Sequence, residues 1–597
     1  MSRKYRNHRF SSFVMLTAVC IGSGQTILAE SGPPEVQAGS PTLLGITGLS
    51  VNGQVHAHGL PTTWQVEYGA TAAYGKKSDA KPIPPRLAAH YRESWNAGWN
   101  GWNSWCPKRL HFNDGGQQKG YISYEGSPRD DHNHDDGVGT VHLTPYMYPG
   151  SLSLSSGAPS AYLGGGDPDF RDAIIKQSVR GRDWKPNGTE LIWWSQAQSN
   201  IEENPDDMTL SPNYKHPNWS YTGKNLTDLL GTGQWETAEY RLLNDTNAWS
   251  YCGNNKGEKR YDAYWSIDET QRHLNLDLFH MVMFVDPNHR PTGAIDFDEF
   301  EVTYRNYSLA FPSNGGQLIS SPSGSADAPK NLTDGWRNGA EKMWKSAAHP
   351  SGPLEFIYEF AKPVTIEKVQ LHQHPEWPSK EVEVLVSEEG TNWKPLVRGE
   401  MLDKHPHGAN YNFLLKKKLS ARAKQAKVRI LSGHKPEHWG LGEIEFFGTG
   451  AVSLPDDDWF HVNVDLLDLQ PGETIHYRLI AMNAKGTATG VDQMFSLPAD
   501  TRPHVITGPA SRIHDGTAKV EGRLNPLGKK TEFFFEFGPT KVYGRKTSPR
   551  YGGLQITPRL AFDTLTDLIP GATYHYRLVA VNETGTTYGE DATLESK

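Results

Sequence analysis

One sequence repeat occurs twice in this chain, and its first copy is interrupted. Residues 533–546 read FFFEFGPTKVYGRK, and residues 64–77 read WQVEYGATAAYGKK. The similarity continues to a Pro-Arg-Leu at 85–87 in the first copy, and then the first copy stops. A repeated unit of this kind predicts two modules with the same fold. Only the first half of the first module is present at this point of the chain.

The missing half of the first copy lies far downstream. Residues 468–492, DLQPGETIHYRLIAMNAKGTATGVD, match residues 567–591, DLIPGATYHYRLVAVNETGTTYGED. A long insertion therefore separates the two halves of one module. Such an insertion is tolerated at a loop tip because the entropy of loop closure grows only slowly with loop length.

The repeat has the pattern of antiparallel strands. Apolar and polar residues alternate over 573–581, and a Pro-Gly turn precedes them. Both copies resemble fibronectin type III domains of the variant that carries Tyr-Gly-x-Thr-x-x-Tyr-Gly. The resemblance implies one interrupted domain, 41–90 plus 455–498, and one continuous domain, 502–597.

Residues 308–449, within the insertion, resemble a discoidin (coagulation-factor type C) domain, a jelly roll that binds sugars in many proteins. The resemblance is carried in order by NLTDG at 331–335, LEFIYEF at 354–360, VSEEGTNW at 386–393 and GLGEIEFFG at 440–448. By position in this family, Asp334 and Glu443 are the candidate ligands of a structural calcium ion, which prefers carboxylate and carbonyl oxygens. An Asp-Gly turn that binds nothing is the alternative.

Ligands of this family lie on the loops at one end of the sandwich. The aromatic residues that fall between predicted strands here are the candidate sugar contacts, because an indole can stack on a pyranose while an imidazole binds its hydroxyls. These candidates are His372, His374, Trp377, His405, His438 and Trp439. Trp344 and Trp393 are expected in the core instead.

Residues 92–307 open with a tryptophan cluster, SWNAGWNGWNSW. Four indoles separated by Asn and Gly cannot all be core in one regular element, so Trp95, Trp99, Trp102 and Trp105 predict either a binding surface or a packed contact with a neighbouring module. The strand rhythm that follows, and a final GAIDFDEFEV at 293–302, weakly resemble a carbohydrate-binding β-jelly-roll.

That final strand carries paired acids. Strict alternation places Asp296, Asp298 and Phe300 on one face, with Ile295 and Phe297 on the other. Neighbouring carboxylates suit a divalent cation, and the resemblance implies structural calcium; a solvated sheet edge is the alternative. Two further segments, RDDHNHDDG at 129–137 and GGGDPDF at 164–170, also carry metal-ligand side chains. A polar loop without a ligand is the more frequent outcome for the first, and the second reads as a turn with Asp167 and Asp169 as possible calcium ligands.

The N-terminus predicts export. Four basic residues precede the apolar run 13–21, and a small residue, Ala29, ends a three-part signal peptide at 1–29. The mature protein is then secreted, either extracellular, on the cell surface or periplasmic. Its two remaining cysteines, Cys106 and Cys252, predict a disulfide, with two free thiols as the alternative.

Composition narrows the function. Net charge is -8 and there is no basic tract, which excludes nucleic acid as the expected partner, and no later segment has the ~20 apolar residues of a membrane span. With 59 Gly and 40 Pro, the chain favours short strands joined by turns. We therefore expect an all-β, multi-domain set of β-sandwiches: two fibronectin type III-like, one discoidin-like jelly roll and one larger jelly roll.

Two functions fit these features. The first is an exported carbohydrate-binding protein that attaches to extracellular polysaccharide or cell-surface glycan, helped by 18 Trp. The second is a polysaccharide-degrading enzyme, hydrolase or lyase, in which 92–307 is catalytic and the discoidin-like domain targets it. Asp167, Asp169, Asp296, Asp298, Glu299, His132 and His134 are the available acids and bases, and their spacing selects no pair.

Overall fold

The computed structural model describes residues 32–94, 96, 102–103, 110–117, 119–125, 134–135, 141–143, 148–149, 168–187, 190–196, 218–253, 264–272, 279–285, 291–336, 342–405 and 412–597. Strands dominate these residues, and they form several antiparallel sheets around separate apolar cores. The prediction of an all-β, multi-sandwich chain is therefore confirmed. In the described part of the chain, no helix has the length and apolarity needed to cross a membrane.

The first strands belong to a sandwich that is incomplete until the chain returns to it. They are β1 (Glu35–Ala38), β2 (Thr42–Leu44), β3 (Gly48–His56), β4 (Thr63–Gly69), β5 (Lys76–Lys77) and β6 (Lys81–Pro82). Alternation along β3 and β4 turns Val51, Val55, Trp64 and Val66 inward, where they are buried.

A central sandwich follows. Its elements are β7 (Ala89–Glu93), β8 (Trp102–Asn103), β9 (Leu110–Asp114), β10 (Gly120–Glu125), β11 (His134–Asp135), β12 (Val141–Leu143), β13 (Tyr148–Pro149), β14 (Pro168–Lys185), β15 (Glu190–Gln196), β16 (Asn218–Asn225), α1 (Thr227–Leu230), β17 (Glu236–Arg241), β18 (Trp249–Gly253), α2 (Ile267–Arg272), β19 (Phe279–Val285) and β20 (Thr292–Asn306). One sheet has the order β17-β14-β20-β10-β9, with β7 also on β20, and the facing sheet has the order β11-β12-β19-β15-β16-β18. Trp193, Trp219 and Phe297 are among the side chains that fill the space between them.

The next eight strands form a third sandwich, here called the β23 sandwich. They are β21 (Gly316–Ser320), β22 (Trp344–Lys345), β23 (Leu354–Gln373), β24 (Glu381–Ser387), β25 (Lys394–Glu400), β26 (Phe413–Lys416), β27 (Ala421–Ile430) and β28 (Gly440–Thr449). The 20-residue β23 pairs with four other strands. Trp344 is fully buried in its core, as expected, whereas Trp393 is only half-buried.

The chain then returns to complete the first sandwich. The returning strands are β29 (Trp459–Leu466), β30 (Thr474–Asn483), β31 (Gly486–Thr489) and β32 (Gln493–Ser496). Strand β29 pairs with β3, and β30 pairs with β4. We call this unit the split sandwich, because strands from both sides of the insertion share its sheets and its core.

The last strands form a C-terminal sandwich with the same pairing pattern. They are β33 (His504–His514), β34 (Thr517–Asn525), β35 (Thr531–Gly538), β36 (Arg545–Lys546), β37 (Arg550–Gly553), β38 (Arg559–Leu565), β39 (Thr573–Asn582), β40 (Gly585–Tyr588) and β41 (Ala592–Glu595). Strand β34 lies between β33 and β38, as β3 lies between β1 and β29. The name fibronectin type III remains a prediction for both units.

Buried polar contacts join the sandwiches. Asn463 of the split sandwich donates hydrogen bonds to Ser50 Oγ at 2.6 Å and to Thr246 Oγ1 of the central sandwich at 2.7 Å. Lys519 of the C-terminal sandwich forms a buried ion pair with Glu190 of the central one. Because such groups are costly to bury without partners, these contacts favour one docked arrangement over alternatives.

Candidate functional site

The β23–β24 loop carries Trp377, and it is fastened to the β27–β28 loop. The amide of His434 donates to the carbonyl of Pro378 at 3.0 Å, and Ser379 Oγ donates to the carbonyl of Gly440 at 2.7 Å. These bonds fix two loops at one end of the β23 sandwich. A ligand contact placed there loses little conformational freedom on binding.

His374 positions this loop from inside. Its side chain is buried, and its Nδ1 accepts hydrogen bonds from the amides of Glu376 at 3.1 Å and Trp377 at 3.3 Å. Burial lowers the pKa of His374 to about 4, so its imidazole is neutral at ordinary pH and Nδ1 is free to accept. The imidazole of His374 therefore shapes the loop that presents Trp377, and its contact with a sugar stays a prediction.

Trp377 stands half-buried beside two polar side chains. The ring of His438 meets it edge-on, with centroids 4.9 Å apart, and Lys435 Nζ lies 5.1 Å from its ring centroid. Lys435 Nζ also donates to the carbonyl of Glu376 at 2.7 Å. We call Trp377, His438 and Lys435 the Trp377 platform: a partly exposed indole with an imidazole and an ammonium group at its border.

His438 has a defined orientation in the platform. Its Nδ1 lies 2.9 Å from the carbonyl oxygen of Ser346, which only accepts, so Nδ1 is the donor. In the neutral ring, Nε2 is then left as an acceptor. The platform therefore combines an apolar ring, an acceptor and a cationic donor within one patch.

Trp439 belongs to the framework of this end. Its indole lies over Gly433, where any Cβ would collide with the ring, and it packs against the apolar core of the sandwich. Its amide donates to Ser346 Oγ at 3.0 Å. Of the two tryptophans that the sequence placed on these loops, Trp377 lies beside His438 and Lys435, and Trp439 packs against the core.

His372 lies inside the sheet, because β23 continues to Gln373 instead of ending near Phe360 as the sequence suggested. Its Nε2 contacts Glu445 Oε2 at 2.9 Å and Gln370 Nε2 at 3.0 Å in a buried network. Because the neighbouring Leu371 faces the apolar core, alternation places His372 on the opposite face of β23, where it is buried against Glu445. A ligand contact of His372 stays a prediction.

The predicted calcium ligands come together at another loop. Glu443 is fully buried, and its Oε1 accepts from the amide of Gly335 at 2.8 Å. Burial raises the pKa of Asp334, while a hydrogen-bonding contact with Glu443 opposes that rise, so the two carboxyl groups are neighbours. A buried and a partly buried carboxylate side by side are a donor set that a hard cation such as Ca²⁺ fits.

The acids of β20 have other partners. At a β-bulge in β20, Glu299 and Phe300 both lie opposite a single residue of β14, and Glu299 has a φ of +49°. Phe300 therefore joins Ile295 and Phe297 in the core, and the expectation that it shares a face with Asp296 is wrong. The extra residue of a bulge reverses the alternation beyond it.

Asp296 is buried and ion-paired to two guanidinium groups, from Arg180 at 2.7 Å and Arg182 at 2.9 Å. Asp298 accepts from the amides of Gln117 at 2.8 Å and Glu299 at 2.9 Å, and burial raises its pKa to about 6. Arginines thus neutralise Asp296 and backbone donors hold Asp298, and calcium binding by this pair stays a prediction.

Several predicted residues lie outside what the structure describes. Trp95, Trp99, Trp105, Cys106, His132 and Asp167 fall there, and so do the side chains of Trp102, Cys252 and His134. The tryptophan surface of 95–105 and the disulfide remain predictions. His405, a further candidate, is half-buried.

Sequence reasoning missed Lys435, which belongs to the Trp377 platform, and Ser346, whose carbonyl accepts from His438. Their signal was weak: Lys435 is one lysine among many, although it stands in the same HKPEHWG segment as His438. The resemblance had placed Trp377 and His438 on loops at one end of the sandwich, but the contact between their rings depends on how β23, β24, β27 and β28 pair.

No family model matches the chain, and no curated protein matches it. Solved structures that are similar to part of it include carbohydrate-binding modules and parts of glycoside hydrolases. CBM32-3 from a family 31 glycoside hydrolase of Clostridium perfringens is 17% identical, covers 23% of this chain and 93% of its own, and has a TM-score of 0.20. The C-terminal domain of a chitobiase from Bacteroides fragilis is 23% identical over 24% and 97%, with a TM-score of 0.20. The family 32 carbohydrate-binding module of EndoD from Streptococcus pneumoniae is 10% identical over 23% and 98%, with a TM-score of 0.19.

Proposed function

We propose that this is an exported carbohydrate-binding protein whose β23 sandwich, as a discoidin-like module, holds a sugar at the Trp377 platform. The observation that carries the proposal is the platform itself: a half-exposed indole bordered by His438 and Lys435 on two loops that are hydrogen-bonded together. Attachment to extracellular polysaccharide or cell-surface glycan would follow.

The chemistry of the platform suits a pyranose. The C–H face of the sugar would stack on the exposed part of the indole, which offers apolar area with few torsions to order. Nε2 of His438 would accept from a hydroxyl, and Lys435 Nζ would donate to one. Because Lys435 already lies by the Trp377 ring, a bound sugar would share or displace that cation–π contact.

The best direct test compares two tryptophans of one sandwich. Trp393 is also half-buried and has Lys427 Nζ 4.4 Å from its ring centroid, but it lies in the β24–β25 loop, at the opposite end of β24. Glycan arrays would first identify a ligand, and calorimetry would then measure its affinity. We expect Trp377→Ala to weaken binding about tenfold or more, and Trp393→Ala to leave it unchanged.

Two outcomes would contradict the proposal. One is an array that detects no glycan with correctly folded protein, and the other is equal affinity loss in both variants. Trp439→Ala is unsuitable as the test, because Trp439 packs on the core and its loss would disturb the fold. Thermal unfolding of each variant establishes that the comparison is made between folded proteins.

We further propose that Asp334 and Glu443 hold a structural calcium ion. The ion would neutralise two adjacent carboxyl groups and fix the Asp-Gly loop, which docks on the central sandwich through a hydrogen bond from the His90 amide to the Gly335 carbonyl at 2.7 Å. We expect a chelator to lower the unfolding temperature, calcium to restore it, and Glu443→Gln to abolish the response. A calcium response retained in Glu443→Gln would disprove this assignment.

The enzymatic alternative gains no specific support from the acids of the central sandwich that the structure describes. Asp169 is ion-paired to Arg171 at 2.6 Å, and Asp296 is ion-paired to Arg180. Degradation of polysaccharide therefore stays a prediction from the sequence. Incubation with a panel of polysaccharides, read by new reducing ends or unsaturated products, decides it.

A further inference from the structure

One corner of the split sandwich brings together two histidines and two acids. His56 ends β3, and His58 follows two residues later; Glu35 begins β1, and Asp457 precedes β29. Glu35 and Trp459 are the register partners of His56 on its two sides. The three neighbouring strands thus deliver four metal-ligand side chains to one edge of one sheet.

The donor atoms at this corner are close. Ligand atoms of His56, His58 and Asp457 all lie within 4.8 Å of one another. His56 Nε2 is 3.7 Å from Asp457 Oδ1, and His58 Nε2 is 3.1 Å from Glu35 Oε1. The two imidazole centroids are 4.2 Å apart. From this geometry we propose that the corner binds one divalent transition-metal ion of the zinc class.

The C-terminal sandwich shows that the fold does not require these residues. By the repeat, Asn525, Leu527 and Ile556 occupy the positions of His56, His58 and Asp457. Leu527 has a φ of +55° and His58 a φ of +50°, so the same left-handed backbone turn carries an imidazole in one unit and an isobutyl group in the other. The backbone is common to both units, and the ligand set is particular to the split sandwich.

The donor set selects the class of ion. Two imidazoles and one or two carboxylates in a tetrahedral arrangement suit Zn²⁺, whereas Ca²⁺ takes six to eight oxygens. Coordination through His56 Nε2 places the ring proton on Nδ1, which gives up the hydrogen bond from the His58 amide at 3.3 Å. That bond is long and contributes little, while Asp457 and Glu35 are exposed enough to move onto the ion.

A metal here would join parts of the chain that the insertion separates. His56 and His58 lie before the insertion and Asp457 lies after it, while Glu35 belongs to the first strand. An ion that binds only the folded arrangement stabilises it by mass action. The inferred role of the ion is to stabilise the split sandwich by linking its N-terminal and C-terminal strands at this edge. This role is independent of sugar binding at the Trp377 platform.

Titration of the metal-free full-length chain with Zn²⁺ tests the proposal, with Ca²⁺ as the contrasting ion and Co²⁺ as a spectroscopic probe. We expect one zinc equivalent at this corner, a visible Co²⁺ spectrum of the tetrahedral type and an increase in the unfolding temperature. His58→Asn keeps a residue that accepts the left-handed backbone. We expect His58→Asn and Asp457→Asn each to weaken this equivalent about 100-fold or more.

The control is His514→Ala, since His514 is an exposed histidine outside the cluster. It should bind zinc as the parent does. Zinc bound by the histidines of 129–137 would persist in all variants and is counted separately. Absence of zinc binding in the parent, or an unchanged stoichiometry and Co²⁺ spectrum in both His58→Asn and Asp457→Asn, would overturn the proposal and leave a surface cluster of ion pairs.

Discussion

The split and C-terminal sandwiches can be compared residue by residue, and they agree best around one polar cluster. In the split sandwich Arg478 donates to Glu67 Oε2 at 2.8 Å and lies 4.5 Å from the ring of Tyr74. The C-terminal sandwich repeats this: Arg577 donates to Glu536 at 2.7 Å and lies 4.6 Å from the ring of Tyr543. An insertion of more than 350 residues has left this cluster unaltered.

The two units differ at one corner, which lies at the end of β3 in the split sandwich and at the end of β34 in the C-terminal sandwich. In the C-terminal sandwich this corner is a docking surface: Asn525 Nδ2 donates to the carbonyl of Leu43 at 2.7 Å, and Leu527 packs into the core of the split sandwich. In the split sandwich the equivalent residues are His56 and His58, which remain partly exposed. The polar cluster of the repeat motif is therefore common to both units, whereas the residues at the corner differ between them.

The largest expected effect tests what the two units share. A Cβ at Gly69 would collide with the carbonyl oxygen of Tyr74, and one at Gly538 would collide with that of Tyr543. We expect Gly69→Ala and Gly538→Ala each to lower the free energy of unfolding by about 3 kcal/mol or more, because backbone is the obstacle. Urea unfolding followed by peptide-level hydrogen exchange would assign each loss to its unit.

Gly231→Ala is the matched control, since its nearest atom is 3.7 Å away and its φ is -68°. If either Gly69→Ala or Gly538→Ala leaves the free energy of unfolding unchanged, the turn does not require glycine in both units. The two sandwiches would then not be equivalent at this turn.

The second effect tests what the units do not share. Leu527 is almost completely buried, at 4% exposure, and its side chain lies in the core of the neighbouring unit. We expect Leu527→Ala to cost about 3 kcal/mol, by loss of apolar contact and creation of a cavity. His58→Ala, at the equivalent position, should cost much less in metal-free protein.

The measurement is calorimetric unfolding of both variants. Leu527→Ala should separate the transition of the C-terminal sandwich from the rest of the molecule. Equal losses in the two variants would mean that the corner has a structural role common to both units, contrary to the comparison.

Much of the fold can be predicted from the sequence, because the complete second copy of the repeat shows which segments of the first copy belong together. The Thr and Gly residues of Tyr-Gly-x-Thr-x-x-Tyr-Gly have identifiable roles: Thr71 accepts from the amide of Ala73, and Gly69 lies against Tyr74. Pairing across the insertion could be read directly, since each half has a complete counterpart in the second copy. Local motifs that fix backbone geometry survive in sequence, and so they predict well.

The candidate site was predicted less well because it depends on strand ends and on bulges. The extension of β23 to Gln373 places His372 within the sheet, buried against Glu445, and one extra residue in β20 moves Phe300 into the core. Trp377 and Trp439 could not be separated by sequence, since both stand beside a turn residue. Only the close approach of Gly433 to the indole of Trp439 decides which ring is packed.

A smaller effect concerns the shared polar cluster. Glu67 has 13% exposure and Glu536 has 26%, while both arginines are about one-third exposed or less. We expect Arg478→Met and Arg577→Met each to lower the unfolding temperature slightly, and the loss to be greater for Arg478 because Glu67 is left more deeply buried. Thermal unfolding measures both. A greater loss for Arg577→Met would reverse this ranking.

The smallest effect is a pH dependence of the split sandwich. The pKa of Glu67 is lowered from its ordinary value of 4.5, first by a hydrogen bond from Lys77 and then by one from Arg478. A carboxyl whose pKa is lower in the folded state contributes stability above the unfolded value and loses that contribution as pH falls through the folded value. We expect the unfolding free energy of the parent to decrease from about pH 5 downward, and Glu67→Gln to flatten that decrease. Glu532→Gln removes the same charge from an exposed site on β35 and should leave the profile unchanged, so a matching change in both variants would trace the acid sensitivity to net charge instead of to the Glu67 cluster.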